Sequence, residues 1–339
     1  MFLIDTCAPK DPKKSIIHQD ILNLLDFISK DDSVPHIIFY GNDGVGKRKI
    51  IKYFLEMLYG PSVNDTEDNI YVVAGSGTKV KEVLVKQSKF HIMIDPVDNN
   101  FDKYLIQDVV KKYAKKLQVK TLESKKLFKT VLMNNLDYLS YYAQTSLRRT
   151  MEKYSGTCRF IMWCKSLSRV IEPLKSRCIC IRISAPSYDD MLKLTIDVAL
   201  KKKINLKLDD YHKIIKSANG SVRKLLWKLD LFRAGQYNKK YETPYNETIE
   251  QIVELILKCN IEEIINIRNL IYNLIITNIE PSVIMVSIFD NICKKNIAEE
   301  KKLKIINCAS TYDHNLVRRR REISHLDCFI LHVMDILIT

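Results

Sequence analysis

Nowhere does this 339-residue sequence hold the roughly 20 uninterrupted apolar residues that a membrane-spanning helix needs. The first residues meet Asp5 and Pro9 before any apolar stretch can develop, so no signal peptide is expected. The 9 cysteines form no CxxC pair and no zinc spacing, which argues against both a metal-bound module and a disulfide framework. The 7 histidines fall into neither a metal nor a triad pattern, so no metal is assigned to them. Internal repeats and low-complexity blocks are missing too. The expectation is a protein with no membrane partner, in a reducing compartment: cytosol, nucleus or an intracellular viral replication factory.

A chain of this length exceeds one comfortable core, and two or three domains are expected. Its 46% apolar and 28% charged residues are those of a globular protein. The excess of 54 Lys+Arg over 40 Asp+Glu gives a net charge of +14. Such a charge suits a polyanionic partner such as DNA or RNA, and it also suits plain solubility.

Apolar spacing predicts a helix over 15–28, with Ile17, Ile21, Leu24, Leu25 and Ile28 on one face. A short apolar run, 36–40, then leads into a glycine loop and a second helical pattern that Gly60 stops. Strand, glycine loop, helix opens an α/β nucleotide fold. Further runs at 90–94, 129–133, 159–163 and 178–183 read as buried parallel strands, with helices at 102–117 and 143–154 between them. After Pro186 the strand signals stop. Two or three helices over 187–233, a polar linker over 236–246 and a helical remainder from about 248 follow.

The loop reads Gly41-Asn42-Asp43-Gly44-Val45-Gly46-Lys47-Arg48, a match to G-x-x-x-x-G-K. Its glycines let backbone N–H groups turn toward phosphate oxygens, the following helix adds its dipole, and Lys47 adds a charge. The last position ordinarily carries a Ser or Thr hydroxyl for magnesium; Arg48 has none to offer. In an active enzyme of this layout a later strand ends in Asp-Glu. The equivalent run here ends Met133-Asn134-Asn135. Asn134 lacks the anionic charge that favours magnesium, and Asn135 cannot accept a proton near neutral pH. Asp137 falls beyond the strand, in the turn. The expectation is a pocket for ATP or ADP whose Mg2+ coordination is impaired and which does not hydrolyse.

Several boxes resemble the replication factor C small subunits, the clamp-loader family of the AAA+ class. Residues 143–154, AQTSLRRTMEKY, and 171–178, IEPLKSRC, are similar to two of its specific boxes. Ser184-Ala185-Pro186 resembles its turn into the second domain, and 218–224, ANGSVRK, its sensor-2 segment. Ile4-Asp5 through Pro9-Lys10 resembles a worn N-terminal box in which Cys7 and Ala8 replace Tyr and Arg. The likeness is greatest to the subunit type with a degenerate ATPase site. It implies an AAA+ domain with a parallel sheet over 1–184, a helical lid over 185–236 and an all-α collar over 247–339. It also implies a place in a hetero-pentamer of clamp-loader subunits that opens a sliding clamp around primer–template DNA.

Carried over residue by residue, Arg177 of the SRC box is an arginine finger offered in trans to a neighbour's γ-phosphate; the alternative is a surface arginine at a strand start. Arg223 matches the sensor-2 arginine, which touches the subunit's own phosphates, or it serves a static contact. Lys165 stands where the sensor-1 asparagine is expected. Lys103 leads a lysine-studded segment with Lys111, Lys112, Lys115 and Lys116 that corresponds to the family's DNA-facing element. The alternative is a solvated helix face. Arg318 to Arg321 suit a localisation signal, a polyanion patch or a collar contact.

Two readings from other classes compete. A stand-alone P-loop ATPase acting on DNA would need the missing carboxylates. A scaffold with an empty pocket would leave Gly41, Gly46 and Lys47 without a purpose. The favoured expectation is a subunit defective in cis and catalytic in trans.

Overall fold

The computed structural model describes every residue except 1, 8, 10, 11, 13, 14, 75–79, 97–101, 116–125, 127, 236–243, 278, 319–321 and 339. It separates into two compact units, Met1–Tyr237 and Asn238–Thr339.

The first unit is built on a seven-stranded sheet in the order β2-β3-β4-β5-β6-β1-β7. Its strands are β1 (Ile37–Tyr40), β2 (Glu67–Ala74), β3 (Val80–Gln87), β4 (His91–Ile94), β5 (Lys129–Met133), β6 (Cys158–Cys164) and β7 (Ile179–Arg182). From β4 through β5, β6 and β1 to β7 every pairing is parallel. Ile37, Ile38 and Phe39 of β1 are fully buried, as a strand covered on both faces requires. The helices Gln19–Lys30 and Lys47–Tyr59 cover one face through Leu25, Ile50, Phe54 and Leu55. Residues 102–115 and the helix Tyr141–Lys153 supply Ile106, Val110, Ala143 and Leu147 to the other face.

All five runs expected as parallel strands are strands. The antiparallel hairpin β2–β3 was not foreseen. Its first strand opens Glu67-Asp68-Asn69, residues of low strand propensity, and Ile70, Val72 and Leu84 face solvent. The apolar pattern therefore marks no single covered face. The expected helix at 15–28 begins later, at Gln19, because His18 takes a left-handed conformation, φ 61°. The helix expected from 102 is described to Lys115 and contains a π-turn over Ile106–Val110.

Helices Tyr188–Lys202, Leu208–Ala218 and Val222–Arg233 complete this unit. The chain's start docks on the last of them: Leu3 N–H donates to Asp230 Oδ2 at 2.7 Å, and Phe2 meets Trp227 at 5.2 Å between ring centroids.

Among the described residues of the second unit the α-helices are Pro244–Lys258, Ile264–Ile276, Pro281–Cys293, Glu299–Arg318 and Glu322–Ile338, and no strand is present. Ile252, Ile271, Ile288, Ile305 and Phe329 are fully buried in a core of its own.

Candidate functional site

The glycine loop leaves β1 and enters the helix Lys47–Tyr59, whose first turn closes with Lys49 and Ile50 N–H donating to Gly46 O at 3.0 and 3.1 Å. Two glycines are required by space. A Cβ on Gly41 would stand 2.1 Å from Ile183 O, and one on Gly44 2.0 Å from Ser221 Oγ. Gly44 also has a φ of +79°, a region side chains disfavour. Through that contact the loop is held against the lid helix: Arg223 N–H donates to Gly44 O at 3.1 Å.

Lys47 is buried, with its ammonium turned back onto the loop, donating to Gly41 O at 2.5 Å and Asn42 O at 3.0 Å. Burial pulls its pKa below the usual lysine value, and Asp43, 3.7 Å away, opposes that pull. Asp43 also lies 3.9 Å from Lys165 Nζ. An open cleft of about 500 Å³ runs along the loop, lined by Gly44, Lys47, Arg48, Asn135, Trp163 and Arg223 among others. His18 closes part of it. Its Nε2 donates to Val45 O at 3.0 Å, and burial draws its pKa down.

Asn134 is buried just past β5, and both ends of its amide are taken. Its Nδ2 donates to Asp95 Oδ1, and its Oδ1 accepts from Trp163 Nε1 at 2.6 Å. Asn135 turns left-handed, φ 47°, at the lip of the cleft. Asp137 sits in the following turn, where its Oδ2 accepts from Lys165 N–H at 3.0 Å. The Arg48 guanidinium lies 5.4 Å and the Lys47 ammonium 5.1 Å from the Trp163 ring centre.

The structure thus gathers Asp43 through Arg48, Asn135 and Arg223 around one cleft, while Gly41 and Asn42 line a separate pocket and Asn134 is reached only through its bond to Trp163. Arg177 stands elsewhere, following the short helix Glu172–Lys175. It is 40% exposed, with Nε 2.7 Å from Glu152 Oε1 and Nη1 donating to Pro173 O at 2.8 Å. Lys103, Lys111, Lys112 and Lys115 are exposed. Lys116 and Arg319 to Arg321 lie outside the described residues, and Arg318 ends a helix. Sequence reasoning missed Trp163, Asp95, His18 and Glu152. For Trp163 the available signal was one of only 2 tryptophans standing two residues before Lys165.

A glycine loop between a parallel strand and a helix, met by an arginine from a helical lid, defines the AAA+ P-loop class. Comparisons narrow this. Residues 17–187 match the family of the DNA polymerase III delta subunit, and residues 245–339 match the C-terminal domain of replication factor C subunit 3. A protein of Acanthamoeba polyphaga mimivirus, described as a replication factor C small subunit, is 35% identical over 100% of this chain and 92% of its own. Replication factor C subunit 3 of Arabidopsis thaliana is 33% identical over 99% of this chain and 97% of its own. A DNA polymerase III gamma subunit-related protein of Thermotoga maritima shares the fold at 12% identity, with a TM-score of 0.52 over 93% of this chain and 99% of that one. The chain belongs to the replication factor C small subunits, the clamp-loader subunits of DNA replication.

Proposed function

We propose that this chain is the non-hydrolysing subunit of a hetero-oligomeric clamp loader: it retains ATP or ADP at its own loop and lends Arg177 to the active site of a neighbouring subunit. The observation that carries the reading is Asn134. An amide occupies the place of the metal-binding carboxylate, and its carbonyl oxygen is already committed to Trp163 Nε1 at 2.6 Å.

The residues of the cleft suit a polyphosphate. The loop N–H groups, the helix N-terminus, Lys47, Arg48 and Arg223 supply positive potential from three directions. They do not suit magnesium, because Arg48 brings a second cation where a hydroxyl is needed and Asn134 brings no charge. Nor is there a base at the end of β5, since Asn135 cannot take a proton from water.

Arg177 has the complementary property. It is 40% exposed, apart from its own loop, and its ion-pair partner Glu152 is itself 42% exposed, as suits a residue meant for another chain. A guanidinium placed on a γ-phosphate stabilises the charge that moves during transfer. Relatives named as replication factor C subunits support an assembly of several such chains acting with a sliding clamp and primer–template DNA, in the nucleus or a viral replication compartment. In that assembly 1–184 is the nucleotide domain, 185–236 the lid and 247–339 the collar, with Lys103 facing DNA.

The test has two arms. The isolated chain is expected to bind nucleotide without turnover. In the assembled loader, Arg177→Ala is expected to lower turnover at the one served site by on the order of 10³. Steady hydrolysis by the isolated chain, or an assembly whose ATPase ignores that substitution, would sink the reading.

A further inference from the structure

P-loop enzymes share one magnesium ion between two side chains, the hydroxyl after the loop lysine and the carboxylate closing the acidic strand. Here those positions are Arg48 and Asn134, and both touch the same indole. Trp163 reaches Asn134 through its Nε1–H at 2.6 Å, and Arg48 lies over its ring at 5.4 Å. Lys47 lies over that ring as well, at 5.1 Å. The side chain is 8% exposed, at the wall of the cleft, and Asn134 is itself anchored to Asp95.

An indole has no ligand atom for a cation; its N–H only donates. It can, however, reproduce two things the ion would do. It contacts positions 48 and 134 together, and its electron-rich ring attracts the two neighbouring cations in spite of their mutual repulsion. The magnesium ion ordinarily cancels part of the phosphate charge. With Lys47 and Arg48 both brought to the loop, that charge is met by fixed side chains.

We propose that Trp163 takes the place of the magnesium ion in this pocket, so that the chain binds a nucleoside di- or triphosphate as the metal-free anion. The inference rests on the nucleotide-binding reading above. It adds that a divalent cation is not required for binding.

The experiment is fluorescence anisotropy of N-methylanthraniloyl ADP and ATP with the full chain, in EDTA and then in excess magnesium. The expected dissociation constant in EDTA is no more than about threefold weaker than in magnesium. A larger weakening overturns the inference. A second measurement uses tryptophan emission with unlabelled ADP in EDTA. Trp227→Phe is expected to keep a nucleotide-dependent change and Trp163→Phe to lose it; emission from the Trp227→Phe chain that ignores saturating ADP also overturns the inference. The outcomes separate the two claims. Binding that demands magnesium yet yields no turnover defeats this inference alone. Metal-independent binding accompanied by turnover defeats the non-hydrolysing reading alone. A chain that binds neither nucleotide in either buffer defeats both.

Discussion

Asp43 puts a carboxylate inside a loop otherwise arranged to receive anions. It stands 3.7 Å from Lys47 Nζ and 3.9 Å from Lys165 Nζ, at 63% exposure. The Lys165 pair, 65% and 63% exposed, is worth at most about 1 kcal/mol, and the exposed carboxylate is screened by solvent on the Lys47 side too. Asp43→Asn is therefore expected to tighten ADP binding by up to about fivefold at low salt, an effect that fades as ionic strength rises; titration calorimetry at two salt concentrations checks both parts. Gly44 is constrained differently. A methyl there meets Ser221 Oγ at 2.0 Å and is strained at φ +79°. Gly44→Ala is expected to lower the melting temperature by several degrees, on the order of 1–3 kcal/mol, and to weaken nucleotide binding by separating loop from lid. An unchanged melting temperature would contradict the close approach described here.

At the level of elements, the pattern of apolar residues was most informative where burial was two-sided. Runs such as His36-Ile37-Ile38-Phe39-Tyr40 and the stretch from Arg159 to Trp163 admit few alternatives to a central strand, and they are β1 and most of β6. The hairpin β2–β3 was illegible because its outer face carries Ile70 and Leu84 into solvent, erasing the alternation that marks a half-buried strand. The loop glycines could be read because phosphate chemistry dictates their spacing. The Trp163–Asn134–Asp95 chain could not, since its members come from β6 and from the ends of β5 and β4, and only the sheet order makes them neighbours. Local signals also fix helix starts. Ser140 Oγ accepts from Ala143 N–H at 3.3 Å and caps the helix Tyr141–Lys153. Ser140→Ala is expected to cost about 1 kcal/mol, read as a lower urea midpoint with unchanged slope.

Across the whole molecule, two units with separate cores predict separable folding. Residues 244–339, expressed alone, are expected to give a helical circular dichroism spectrum and a cooperative melt, because their buried isoleucines and Phe329 pack among themselves. The first unit carries an acid sensitivity of its own. His36, beside Arg159, accepts from Phe160 N–H at 3.1 Å; His91 sits 2.7 Å from Ser88 Oγ. Burial pulls both imidazoles down to about 4 from an ordinary 6.5, and Arg159 adds to the pull on His36. Their folded-state values lie below their unfolded ones, so the stability they represent is complete above pH 6.5 and drains away as pH falls toward 4. Chemical denaturation at steps across that window should show the fall, and His91→Gln should make it shallower.

The contact between Arg177 and Glu152 bears on how such a subunit would join its neighbours. At 2.7 Å, with the two side chains 40% and 42% exposed, the pair gives the guanidinium a resting partner that is easy to surrender, since water compensates most of what is lost when it parts. Under the proposed function, an incoming phosphate does not have to order a wandering side chain. It exchanges one anionic host for another, so docking and undocking can follow the neighbour's nucleotide state with little resistance from this side of the joint.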